Sequence, residues 1–265
     1  MFITKTFIST SIALALACLS LPSTSSASPL EGLATRSPKV KVYHTCSVSG
    51  SAALTFDDGP YKWHDQLVNE LNKKGAKGSF FLNGNNYGCI YDYAEQIRDT
   101  YNSGHLLGSH TWSHADITQL SRRDLHTELS KVETAFKKIL GVKPLYFRPP
   151  FGNINTEARE VLAERGYQGA FLWDQDSGDS VGKSISYSDK IYRKTSNTFP
   201  TPHLVLNHET YKTTVKDVVP QALPELQRQG YSLVTATECL DLGDDSGSWY
   251  EHVGGREERN DSWQC

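Results

Sequence analysis

Short apolar runs alternate with segments of helical period along most of this chain, and no other feature limits its possible folds as strongly. Runs at 52–56, 78–82, 106–108, 145–148, 169–173, 203–207 and 232–235 have strand length. Between them, 64–74, 91–102, 122–140, 156–165, 186–196 and 215–229 carry apolar residues at helical spacing. Several helical segments end at glycine, at Gly75, Gly104, Gly141, Gly166 and Gly230, where a left-handed residue closes the last turn without steric cost. Such regular β-α alternation predicts an α/β fold around a parallel sheet, and the pattern fits both a barrel and a doubly wound sheet.

Polar residues collect at one end of these strands. Asp57, Asp58, His110, Arg148, Asp174, Asp176 and His208 all fall at or just beyond a strand's carboxyl end, where barrels and open parallel sheets both bind ligands. Two segments are densest: Thr55-Phe56-Asp57-Asp58-Gly59-Pro60 and Ser109-His110-Thr111-Trp112-Ser113-His114. Two carboxylates and two imidazoles suit a divalent ion such as zinc, and three protein ligands leave a position for water, which points to hydrolysis. Adjacent strand residues point to opposite sides, so only a turn at Gly59-Pro60 can bring Asp57 and Asp58 to one cavity. His110 and His114, four apart, share a face if their segment turns helically. His208 ends an apolar strand, with Asp176 and Asp179 available to raise its pKa.

The ends of the chain suggest where it works. Lys5, an apolar run over 12–21 and Ser25-Ser26-Ala27 read as an export signal, too short for the roughly 20 residues of a bilayer span. The expected organisation is a signal at 1–27, an extension at 28–45, a catalytic domain at 46–240 and a loosely packed tail at 241–265. Cys18 lies in the signal, and Cys46, Cys89, Cys239 and Cys265 form an even set that an oxidising compartment would pair. Of three possible pairings, Cys46 with Cys239 ties the two ends of the domain together and leaves Cys89 with Cys265. A secreted, extracellular monomer is expected, with no membrane partner once the signal is removed. A net charge of −3 and the lack of a basic block interleaved with aromatics argue against nucleic acid.

Five segments, Thr55 to Pro60, His110 to His114, Arg148-Pro149-Pro150-Phe151-Gly152, Asp176-Ser177-Gly178-Asp179 and Leu206-Asn207-His208, resemble the ordered motifs of the polysaccharide deacetylases, carbohydrate esterase family four, or NodB-homology domain. Within that family the likeness is greatest to secreted fungal chitin deacetylases. The resemblance implies a distorted (β/α) barrel of about seven parallel strands. It also implies metal-dependent hydrolysis of the N-acetyl groups of chitin or chitooligosaccharides, with zinc, or another divalent ion such as cobalt, as cofactor.

The same resemblance assigns roles. Asp57 becomes the general base, Asp58, His110 and His114 the metal ligands, and Arg148 the residue holding the catalytic carboxylate. The Phe151 backbone N–H becomes an oxyanion donor, and His208 the general acid, supported by Asp179 with Asp176 as second choice. Leu206 would line the acetyl pocket, while Trp112 and Tyr87 offer aromatic faces to sugar rings. Two positions depart from the family: Phe151 stands where tyrosine is common, and Ser180 where tryptophan is often found. An acetylxylan esterase is the alternative within the same chemistry. A glycoside hydrolase would leave His110 and His114 unexplained, and a chitin-binding protein without turnover would not need base and acid together.

Overall fold

A computed structural model describes residues 38–265 together with Phe2. The expected signal, Cys18 and most of the 28–45 extension lie outside the described residues. The elements are β1 (Lys41–Tyr43), β2 (Ser51–Asp57), α1 (His64–Lys73), β3 (Gly78–Leu82), α2 (Ala94–Asn102), β4 (Leu106–Ser109) and α3 (Arg122–Leu140). They continue through β5 (Val142–Pro144), β6 (Tyr146–Phe147), α4 (Thr156–Glu164), β7 (Gly169–Phe171), β8 (Gln175–Asp176), α5 (Ile185–Ser196) and β9 (His203–His208). The last are α6 (Val219–Gln229), β10 (Ser232–Leu233), α7 (Ala236–Cys239), α8 (Ser246–Trp249) and β11 (Tyr250–His252).

Eight strands form one parallel sheet in the order β1-β7-β6-β4-β3-β2-β9-β8, and β10 pairs beside the start of β2. From β2 through β3, β4, β6 and β7 the sheet grows always in one direction, as in a barrel, without the reversal of a doubly wound sheet. The terminal strands β1 and β8 do not pair with each other, so the barrel is incomplete. All seven expected strands are present. Two short ones, β1 and β8, add to them, because two or three residues leave too little periodicity to read. Every residue of β2, β3 and β9 is buried, which matches their mainly apolar middles in a sheet covered on both faces.

Local signals explain the helices. Ser121 caps α3 by accepting from the Asp124 amide at 3.2 Å, and Gly141 closes it in the left-handed region at φ 77°. Asn155 caps α4, accepting from the Ala158 amide at 2.8 Å. The expected single helix over 215–229 instead begins as a π turn, Thr214–Val218, before α6. Pro220 has no amide hydrogen to give Lys216, which frees the backbone to widen there. Among the described residues, no helix is long and apolar enough to cross a membrane.

Packed structure extends past both ends of the 46–240 segment. Val40 is buried and β1 pairs in register with β7, so the sheet begins before residue 46. The tail is not loose: β11 pairs antiparallel with β5, and Trp249, Tyr250 and Trp263 are buried. Its abundance of Gly and charge hid three aromatic anchors. Disulfides join Cys46 to Cys239 and Cys89 to Cys265, with Cα separations of 5.1 and 5.8 Å.

Candidate metal centre

Strand register alone brings the polar residues together. Asp57 on β2 lies beside His208 on β9, and Ser109 on β4 beside Phe147 on β6, so the next residues, His110 and Arg148, leave the sheet at one level. Asp58 follows Asp57 in the left-handed region at φ 70°, which swings its carboxylate back toward the same side. The turn therefore starts at Asp58 itself, one residue before Gly59.

His110 and His114 also converge, but without a helix. Their segment is irregular, with Thr111 at φ 67° and His114 at φ 59°. The ligand atoms of Asp58, His110 and His114 lie within 4.8 Å of one another. His114 Nε2 is 3.2 Å and His110 Nε2 3.7 Å from Asp58 Oδ1. His110 Nδ1 donates to the Arg148 carbonyl at 2.7 Å, which leaves the Nε2 lone pair facing the carboxylates. Asp58 Oδ1 is buried with no hydrogen-bond donor, and burial raises the Asp58 pKa above the usual carboxylate range. Burial lowers both histidine pKa values, keeping the rings neutral and able to ligate. An orphaned carboxylate oxygen among converging imidazole lone pairs fits a divalent cation, so Asp58, His110 and His114 could hold one.

Arg148 is fully buried and divides its donors among four acceptors. One terminal nitrogen gives to Asp57 Oδ1 at 2.9 Å and Thr55 Oγ1 at 2.6 Å, the other to the Leu172 carbonyl at 2.9 Å, and Nε to the Phe171 carbonyl at 3.1 Å. Across the cavity, His208 Nδ1 is 2.8 Å from Asp179 Oδ1, while Asp179 Oδ2 accepts from the His208 amide and from Thr214 Oγ1, both at 2.7 Å. Burial acts to lower the His208 pKa, but the Asp179 hydrogen bond and charge override it and raise the value to about 9. Thr214 is the first residue of the π turn.

A cavity of about 380 Å³ joins these groups, lined among others by Phe151, Trp173, Asp176, Ser180, Val181 and Leu206. Phe151 sits on its rim, 63% exposed, its ring T-shaped to that of His114 with centroids 4.6 Å apart. Asp176 lines the cavity but accepts from the Gly178 amide at 2.8 Å, and Asp179 is the carboxylate bonded to His208. Trp112 and Tyr87 do not line this cavity. The turn at Thr111 sends Trp112 outward against Gly84, where any Cβ would lie 1.8 Å from its ring, and Tyr87 packs on Tyr61 at 5.6 Å.

Three residues at the site, Thr55 among them although it opens the first motif, receive no role from the sequence. Thr55 is the polar interruption in an otherwise apolar strand. Trp173, assigned to a strand from sequence, lies past the end of β7 and so turns into the cavity. Asn83 follows β3 as Asp58 follows β2, and that placement was its readable signal. Its Nδ2 donates to the His110 and Thr111 carbonyls at 2.5 and 3.1 Å, while the Gly84 and Asn85 amides give to the Thr111 and Trp112 carbonyls at 3.4 and 2.7 Å. The loop after β3 thus carries the histidine segment, and Cys89 ties that loop to Cys265. Replacing both cysteines by serine is expected to lower stability by about 2–5 kcal/mol, read as a fall in the thermal melting temperature. An unchanged melt would show that the buried tail aromatics hold the loop alone.

Residues 45–170 match the family model for polysaccharide deacetylase. A chitin deacetylase of Arthroderma benhamiae is 36% identical over 79% of this chain and 56% of the relative, so the chain spans little more than half of that protein's length. A chitin deacetylase of Pestalotiopsis sp is 34% identical over 88% of this chain and 78% of its own. The structure of the chitin deacetylase from the fungal pathogen Colletotrichum lindemuthianum superposes with a TM-score of 0.76 at 29% identity, covering 81% of this chain and 97% of that one.

Proposed function

The chain belongs to the polysaccharide deacetylase family, and from that premise we propose that it is a metal-dependent chitin deacetylase, releasing acetate from N-acetylglucosamine residues of chitin or its oligomers. The observation that carries the reading is one cavity holding three kinds of group: the Asp58-His110-His114 cluster, Asp57 fixed by Arg148, and His208 backed by Asp179. A binding module needs none of that pairing of base and acid, and a simple ester needs less help from an acid than an amine leaving group does.

Zinc at Asp58, His110 and His114 would supply positive charge that polarises the amide carbonyl and lowers the pKa of water from about 15.7 toward about 7. Asp57, aimed by its 2.9 Å contact with Arg148, takes the proton from the attacking water. The Phe151 amide donates to the oxygen on which charge develops. His208, protonated at neutral pH because Asp179 raises its pKa, gives its proton to the departing nitrogen. Leu206 and Trp173 form apolar wall near the acetyl group, and Trp173 supplies an aromatic surface in a cavity where Ser180 offers none. Two disulfides support an extracellular location for the folded domain.

Acetate release from chitin oligomers, colloidal chitin and acetylated xylan, before and after chelation and zinc add-back, tests the reading. Activity on the chitin substrates that disappears with chelator and returns with zinc is expected. Activity untouched by exhaustive metal removal would overturn it, and release from xylan alone would reassign the substrate. Zinc affinity should respond to acid late. The two imidazoles take protons only below the ordinary 6.5, so affinity should stay level from pH 8 to about 6.5 and fall below that. Competition titrations with a chromogenic chelator would read this, and a decline centred above 6.5 would contradict it.

A further inference from the structure

We propose that Glu209 and His64 form a charged pair that sets the position of the Asp57-Asp58 turn relative to His208, a role that rests on the deacetylase reading above. Both side chains are fully buried, and His64 Nδ1 lies 2.8 and 3.0 Å from the two carboxylate oxygens of Glu209. Glu209 is the residue after His208. His64 opens α1, the first element after the Asp57-Asp58 turn.

The protonation of His64 follows from its partners. Thr100 Oγ1 is 2.7 Å from His64 Nε2 and spends its single hydrogen on the Gln96 carbonyl at 2.8 Å. Thr100 therefore accepts from Nε2–H, while Nδ1 faces a carboxylate, which also accepts. Both ring nitrogens then carry hydrogen, and the ring is an imidazolium. The pair's grip extends to the turn itself. Glu209 Oε1 accepts from the Tyr61 amide at 3.1 Å and presses on Gly59, where a Cβ would fall 2.0 Å from that oxygen. Gly59 is thus the one residue type that lets the carboxylate reach under the turn. Asp57 and His208 are register partners on neighbouring strands, and this buried bridge fastens the two backbones where they leave the sheet.

A buried pair broken on one side strands a charge, whereas replacing both members by apolar residues often restores stability. Glu209→Leu, His64→Leu and the double variant separate positioning from stability. The double variant should melt closer to wild type than either single variant. Its kcat at saturating zinc should be down about 10- to 100-fold with KM within about twofold, and zinc affinity by calorimetry down about 10-fold. Nitrogen-15 spectra of the wild type should show both His64 ring nitrogens protonated at neutral pH. A double variant that regains kcat and zinc affinity along with its melting temperature would make the pair merely structural, and a neutral His64 would remove its charge. If wild type releases no acetate from any substrate, the functional reading fails, and calorimetry on the same variants still decides whether the pair positions Asp58.

Discussion

Replacing Asp57 by Asn is expected to lower kcat for acetate release by about 10²- to 10⁴-fold while zinc still binds. The carboxylate touches Arg148 at 2.9 Å, and its other oxygen is 3.8 Å from His110 Nε2. It borders the Asp58-His110-His114 cluster without belonging to it. The amide keeps the volume and can still face Arg148, but it cannot accept a proton from water. The cluster's own atoms, on Asp58, His110 and His114, are untouched. His110→Ala or His114→Ala should lose zinc and turnover together, since either change leaves two ligands. Calorimetric zinc titration beside a coupled acetate assay separates the cases. Near-normal release by the Asp57 variant would refute its role as base, and loss of zinc in that variant would move Asp57 into the ligand set.

The same residues mark how far the sequence could be read. Long, apolar β2, β3 and β9 and the 19-residue α3 declare themselves by period, and strand-end placement picks out Asp57, His110, Arg148 and His208. What sets their geometry is not periodic. Left-handed backbone at Asp58, Thr111 and His114 depends on tertiary contacts, since none of these residues is glycine. The helical turn expected between the two histidines follows from their spacing alone, and the carbonyls of that segment instead find donors in Asn83, Gly84 and Asn85. Trp112, prominent in sequence as an aromatic between His110 and His114, is directed away by the turn that brings the two imidazoles together. The buried tail shows the limit in reverse: charged, glycine-rich sequence masks Trp249, Tyr250 and Trp263, whose partners are remote in the chain.

Arg148→Met should produce the largest loss of stability of any change at the site, about 3–5 kcal/mol. The guanidinium is fully buried, and burial lowers its pKa against the opposing effect of Asp57, yet an arginine stays protonated in proteins. It therefore holds its charge inside the barrel by contact with Asp57, with Thr55 and with two carbonyls at the end of β7. Methionine fills most of the volume but leaves the Asp57 carboxylate without a counterion and the Phe171 and Leu172 carbonyls without their donor. Pairing Arg148→Met with Asp57→Asn removes the stranded charge and should recover part of the loss, although neither variant should turn over. Urea midpoints at unchanged m-value measure both effects. A single Arg148→Met variant within about 1 kcal/mol of wild type would mean that the guanidinium is not what compensates the Asp57 carboxylate, and the base would then lack the fixed partner that aims it.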